Sequence, residues 1–220
     1  MQVTRLAWLV ITSALLGCGG GGGDDGGSTG PPPPPPPPPG NTQTLGSITT
    51  SVQTLTLAAG TTQTITVQAF DANGSVIVAA PSPTFASVNA AIAEVDNAGA
   101  VLGLASGTTT VNVSLSMGSV TRTAAVPVNV TGALSNQAEV VASSGDYIFT
   151  PKTVAIQVGG SVTWSFGGLG HTVTFVSTAG APASINETYS TTVSRTFTTA
   201  GNFTYNCTIH AGMTGKIVVR

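Results

Sequence analysis

Four residues in the last quarter of the chain carry side chains that bind soft transition metals. Cys207, His210 and Met213 sit within one seven-residue stretch, Cys207-Thr208-Ile209-His210-Ala211-Gly212-Met213, and His171 precedes it. His171 and His210 are both of the histidines in the chain, and Cys207 is one of 2 cysteines. Two imidazoles, a thiolate and a weak thioether suit a trigonal copper site for electron transfer. The soft sulfur ligands favour Cu(I) and the imidazoles serve Cu(II), so one geometry acceptable to both states needs little rearrangement. The set therefore points to a single type 1 copper ion. Zinc fits less well, because structural zinc sites rarely use Met. Taken singly, each residue has a blander reading. A lone His is a satisfied polar group, a lone Met is core, and a lone Cys is a small buried hydrophobe. It is the set of all four, three of them within seven residues, that carries the chemistry.

The flanking sequence supplies the elements that must hold these side chains. Phe203, Tyr205 and Cys207 alternate with Asn202, Thr204 and Asn206. In a strand that pattern points the first set to one inner face. Cys207 then arrives at a strand end facing the core. Ala211-Gly212 can turn the chain, and Lys216-Ile217-Val218-Val219 leaves as the next strand. His171 opens a strand, His171 to Phe175, after the loop Gly167-Gly168-Leu169-Gly170 and the strand Ser161 to Phe166. Upstream, Val154, Ile156 and Val158 alternate with polar residues, Gly159-Gly160 turns, and Val162 and Trp164 continue inward. Trp164, Phe175 and Tyr205 read as core.

With those residues in view, Phe149-Thr150-Pro151, Gly160-x-Val162-x-Trp164, His171-Thr172-Val173 and Tyr205-x-Cys207-x-x-His210-x-x-Met213-x-Gly215-x-Ile217 resemble the cupredoxin family, which includes plastocyanin and amicyanin. The short Cys-x-x-His-x-x-Met loop is of the amicyanin kind. The resemblance implies a Greek-key β-sandwich over residues 138–220, with copper at one end and His171, Cys207, His210 and Met213 as its metal ligands. It also implies a redox partner protein that docks near His210, the loop histidine. The chain departs from the family at two places. Thr172 stands where Asn often follows the first ligand His, with Thr208 as its possible partner, and Phe166 stands where Asn often lies two positions past the Trp.

Enzyme readings are excluded by counting. Multicopper oxidases need many more histidines than 2, and a binuclear copper centre needs two cysteines in its loop. A hydrolase would need a free base, and both histidines are assigned. The protein reads instead as an electron carrier. The rival readings are copper storage, delivery or resistance with the same ligands, and a surface adhesive lipoprotein in which copper is incidental.

The rest of the chain reads as support. Charged residues make up 6% of it, the net charge is -2 and there is no basic patch, so no nucleic-acid partner is expected. Thr, Ser, Val, Ala and Gly dominate and helical periodicity is missing, which predicts an all-β chain of two β-sandwich domains. Residues 44–131 form the first. Thr62 to Phe70 reads as one strand with Ile65, Val67 and Ala69 on one face, Asp71-Ala72-Asn73-Gly74 as a turn, and Val101 to Leu104, Thr109 to Leu115 and Val120 to Val130 as further strands. Phe70-Asp71-Ala72-Asn73-Gly74, Ala93-Glu94-Val95-Asp96 with Gly99, and Gly107-Thr108-Thr109-Thr110-Val111 resemble the bacterial immunoglobulin-like group 2 domain, often a spacer. With no His or Cys it holds no evident chemistry, and residues 132–137 connect it to the second sandwich.

Residues 1–18 read as an export signal. Arg5 gives the positive charge, and Leu6 to Leu16 is too short for a bilayer, which needs about 20 residues. Leu15-Leu16-Gly17-Cys18 resembles the bacterial lipobox, which implies lipidation of Cys18 and a lipid anchor in the membrane. Gly19 follows with no inner-membrane retention signal, so the expected location is exported, on the periplasmic or cell-surface face, with the outer membrane preferred. Lipidation of Cys18 would leave Cys207 a lone thiol in an oxidising compartment, which calls for an explanation. Residues 19–43 are a Gly/Pro-rich linker, and the nine prolines Pro31 to Pro39 extend roughly 28 Å in polyproline II form.

Overall fold

The computed structural model describes residues 43–143 and 145–220, so Cys18, the export signal and nearly all of the Gly/Pro-rich linker lie outside the described residues. Every regular element among the described residues is a strand. In chain order these are β1 (Leu45–Thr50), β2 (Leu55–Ala58), β3 (Thr62–Thr64), β4 (Val67–Asp71), β5 (Thr84–Ser87), β6 (Ala93–Val95), β7 (Ala100–Gly103), β8 (Gly107–Met117), β9 (Val120–Thr131), β10 (Gln137–Ala142), β11 (Phe149–Thr150), β12 (Thr153–Ile156), β13 (Ser161–Phe166), β14 (His171–Phe175), β15 (Ile185–Thr188), β16 (Thr191–Thr196), β17 (Gly201–Asn206) and β18 (Thr214–Val219).

The first nine strands enclose an aliphatic core. A sheet ordered β2-β9-β8-β5 packs on a smaller β3-β7-β6 sheet, with the β1-β4 pair beside them. Val111, Val113 and Leu115 of β8, and Val126, Val128 and Val130 of β9, alternate with more exposed residues, and all six are buried. Period-2 alternation of β-branched residues is what a strand with one buried face requires.

The last nine strands enclose a second core. A β11-β10-β13-β16 sheet faces a β12-β18-β17-β14-β15 sheet. Val140, Phe149, Trp164 and Phe166 from one layer meet Ile156, Val173, Phe203, Tyr205 and Ile217 from the other. Two pairings are parallel, β10 with β13 and β12 with β18. Parallel neighbours need crossover connections, so the chain passes between layers as a Greek-key sandwich does.

The two halves touch along β18. Ile217 and Val219 point into the second core, while Val218 turns the other way. Val218, with Ala155 of β12, packs on Leu102, Leu104 and Leu134. Charge closes the same seam: Glu94 of β6 accepts from Lys216 Nζ at 3.0 Å and also pairs with Arg220.

Two sequence expectations shift. Thr62 to Phe70 is not one strand but β3 and β4, parted at Ile65-Thr66. The Ser51 amide donates to the Thr66 carbonyl at 2.9 Å, and the Thr66 amide donates to Ser51 Oγ at 3.0 Å. That clasp sends β3 to β7 and β4 to β1, while Ile65 stays buried at the joint. Val158, expected inward after Ile156, is exposed instead. Its amide donates to the Arg220 carbonyl as the chain turns at Gly159, where φ is 84°.

Candidate metal centre

β17 delivers Cys207. Phe203, Tyr205 and Cys207 are all buried, as their alternation requires. Tyr205 lies opposite Gly215 of β18, and its ring fills the space a Cβ there would need. The loop that follows is closed at its base. The Cys207 amide donates to the Met213 carbonyl at 2.9 Å, and the Met213 amide to the His210 carbonyl at 3.3 Å. Gly212 makes the turn in the left-handed region, at φ 80°, where a side chain would cost energy. Met213 is thereby returned to the core, 1% exposed.

β14 delivers His171, which is fully buried. β14 and β17 pair only at Thr174 with Asn206 and Phe175 with Tyr205. Nearer the site the two strands part, and Thr172 spans the gap. Its amide donates to Cys207 Sγ at 3.4 Å, and its Oγ1 accepts from the Thr208 amide at 2.8 Å. The two threonine hydroxyls are 3.1 Å apart. The partnership expected of Thr172 and Thr208 is therefore formed. It satisfies backbone groups that the parted ladder leaves over, and it directs an N–H at the sulfur.

The donor atoms converge. His171 Nδ1 and His210 Nδ1 are 3.0 Å apart, Cys207 Sγ is 3.5 Å from His210 Nδ1, and it is 3.9 Å from His171 Nδ1. A triangle with those sides has a centre about 2.0 Å from each corner, the distance at which imidazole nitrogen binds a first-row metal and slightly inside the roughly 2.3 Å of thiolate sulfur. Among the described residues this is the one cluster of three His, Cys, Asp or Glu side chains close enough to share an ion. The chemistry of the set also fits a cation. Two Nδ1 atoms at 3.0 Å can share at most one proton comfortably, whereas a metal takes a lone pair from each. Burial, and then the charge His210 carries when protonated, hold the His171 imidazole below its usual value of 6.5, so it is kept in the neutral form a metal needs. His171 Nε2 is buried without a protein hydrogen-bond partner, so packing rather than an outer hydrogen bond fixes that ring.

The structure brings His171, Cys207 and His210 together and places Met213 in the same buried cluster as Cys207. Cys18 lies outside the described residues. Trp164 and Tyr205 are core residues as expected, with rings 5.5 Å apart edge to face, and Phe175 is partly buried against them. Burial pushes the Tyr205 hydroxyl up to about 12, and the nearby Trp164 indole pulls weakly the other way, although neither group closes a hydrogen bond of normal geometry. Sequence reasoning missed one neighbour of the site. The ring of Tyr147 lies 4.5 Å from that of His210, tilted by 37°. Tyr147 belongs to an irregular loop between β10 and β11, where no periodicity announces which way a side chain points.

A two-layer sandwich with a His/Cys/His triangle at one end is the architecture of a small copper protein. Residues 136–220 match the family described as copper binding proteins, plastocyanin/azurin family. The chain is 37% identical over 129 residues to "Plastocyanin, chloroplastic" of Tetradesmus obliquus, covering 51% of this chain and 88% of that protein. This chain belongs to the plastocyanin/azurin family, and its cofactor is copper. Solved structures similar to it include a mutant plastocyanin of fern, at 25% identity and TM-score 0.35, covering 38% of this chain and 100% of that one. Another is a mutant of amicyanin in the reduced state, at 28% identity and TM-score 0.34, covering 39% of this chain and 83% of that one.

Proposed function

We propose that this chain is an exported blue (type 1) copper protein that passes single electrons through one copper ion held by His171, Cys207, His210 and Met213. The observation that carries the reading is the convergence of His171 Nδ1, Cys207 Sγ and His210 Nδ1 within 3.9 Å of one another, with Met213 buried beside them. Bound copper supplies a one-electron couple at such a site. The protein's own residues do the rest. His171 and Met213 are shut off from water, the Thr172 amide satisfies the sulfur, and the Cys207–Met213 hydrogen bond holds the loop at one length. His210 is the most exposed of the four, so the redox partner protein docks over it. Burial of the other ligands speaks against rapid hand-over of copper, and so against a storage or delivery role. With both histidines in the triangle, no free imidazole is left to act as a general base, which supports a carrier rather than an enzyme.

The remainder of the reading rests on the sequence. Cys18 is lipidated and anchors the chain to a bacterial membrane, the outer membrane being preferred. The proline-rich segment stands the molecule off, and residues 44–131 are a group 2 immunoglobulin-like spacer. The deciding measurement is the visible spectrum and voltammogram of the copper-loaded chain beside Cys207→Ser. An intense blue band lost in the variant, with a reversible couple, is expected; a colourless or redox-silent wild type would sink the proposal. Metabolic labelling with a fatty-acid analogue tests the anchor, which fails if Cys18→Ala takes up as much label as wild type.

A further inference from the structure

The stretch 145–148, before β11, contains a residue whose backbone and side chain are both unusual. Tyr147 has φ of 50°, in the left-handed region that a large side chain seldom enters. Gly145, two positions earlier, could take such a conformation freely, yet the left-handed residue is the tyrosine. The strained backbone sets the Tyr147 ring at 4.5 Å from the His210 ring, tilted by 37°. His210 needs such support. His171 is fully buried and held by its strand, whereas His210 stands on a loop and is only half-buried. The hydrogen bonds around it fix the loop backbone, through Cys207 with Met213 and Met213 with His210. Its contacts with His171 and Cys207 lie within the donor triangle, and Tyr147 meets its ring from outside it.

We infer that Tyr147 is a positioning residue that clamps the His210 imidazole, keeping its Nδ1 on the donor triangle. The inference rests on the copper-site reading above. A left-handed non-glycine residue is disfavoured by itself, and it persists where the surrounding structure over-determines it. Ring-to-ring contact supplies the compensation here, because offset or tilted aromatic pairs attract beyond their area of burial.

The test uses the full chain as wild type, Tyr147→Phe, Tyr147→Ala and Tyr147→Gly. Three readouts are taken: the visible and electron paramagnetic resonance spectra of the Cu(II) form, the rate at which a chelator strips copper from the Cu(I) form, and the melting temperature without metal. Tyr147→Ala and Tyr147→Gly are expected to shift the spectra and to lose copper about three- to tenfold faster, the span of one aromatic contact. Tyr147→Phe, which keeps the ring, is expected to match wild type. Tyr147→Gly is expected to melt no lower than Tyr147→Ala without metal, because it relieves the backbone while abolishing the clamp. Unchanged spectra and stripping rates in Tyr147→Ala would overturn the inference, as would a Tyr147→Phe that behaves like Tyr147→Ala. A wild type with no blue band would instead overturn the copper-site reading, so the two failures are told apart.

Discussion

The two sandwiches are built from the same strand chemistry but fill their interiors differently. The first core is aliphatic: Leu55, Leu57, Ile65, Val101, Val111, Val113, Val126, Val128 and Val130, with Phe85 as a partly buried ring at its margin. The second holds Trp164, Tyr205, Phe197, Phe203 and Phe149, together with His171, Cys207 and Met213. Three of its buried polar atoms, Trp164 Nε1, Tyr205 OH and His171 Nε2, have no hydrogen-bond partner in the protein. Unpaired buried polar groups are costly. The first sandwich leaves one such atom, Ser87 Oγ at the end of β5, and its aliphatic core specifies a shape. The aromatic core accepts their cost, and the return is a rigid, water-free wall around the donor triangle. Function therefore sits in the sandwich that is locally less well satisfied, and the better satisfied one lies against it.

The sharpest way to break this contrast is His171→Ala. It should lower copper affinity by more than the ten- to hundredfold typical of changes outside the ligand shell, while leaving the first sandwich folded. Metal titration and circular dichroism read the two effects.

Alkaline pH should also distinguish the halves. Tyr205 has its folded value raised from 10.0 to about 12, so the folded state holds its proton longer than the unfolded one. That stability is fully present below pH 10 and is lost as pH rises through about 12, to the extent of about 2–3 kcal/mol. The first sandwich contains no tyrosine, so unfolding of the apoprotein at high pH should begin in the second. Fluorescence of buried Trp164, followed beside a probe in residues 44–131, tests the order; simultaneous loss at every pH would contradict it.

Val128→Ala reverses the comparison. Removing two methyl groups from the aliphatic core should cost about 2 kcal/mol and lower the melting temperature. The visible spectrum of the copper form should not move. A spectral shift would mean that the two interiors are mechanically coupled.

The smallest effect is expected at the seam. Glu94→Gln removes the partner of Lys216 and Arg220, all three side chains being about a fifth to a third exposed. Such pairs contribute up to about 1 kcal/mol each, less in high salt. Calorimetry at low salt should show the variant's transition broadening toward two steps, and 1 M salt should reproduce that broadening in wild type.

The second sandwich was the more legible half of the sequence. β13 and β14 have the bounds that alternation and the glycine loops predict, Ser161–Phe166 and His171–Phe175. Phe203, Tyr205 and Cys207 face inward because a strand leaves them no other common side. The Thr172–Thr208 bond was legible through the family resemblance, in which the residue after the first ligand His bonds across to the residue after the Cys. In the first half, the Asp71–Gly74 turn is present, with Asp71 Oδ1 accepting from the Asn73 and Ser75 amides. The break at Thr66 was hidden, because its cause is Ser51, on a different strand connection. Glu94 gave no sign of its partners, which lie 122 and 126 positions away. Tyr147 was hidden for a related reason: its direction is set by one backbone angle, and periodicity carries no information about it.

β18 has a consequence for how such proteins recombine in evolution. It begins directly after Met213, so one of its faces completes the interior that holds the ligands. Its other face, at Val218, is completed by leucines from the preceding sandwich. A gene fragment that carried residues 138–220 to a new host would therefore arrive with an unpaired apolar stripe at Ala155 and Val218. The new neighbour would have to match it, or Val218 would have to become polar first. The boundary that is clean in the sequence is not clean on the molecular surface, because Ala155 and Val218 belong to both halves.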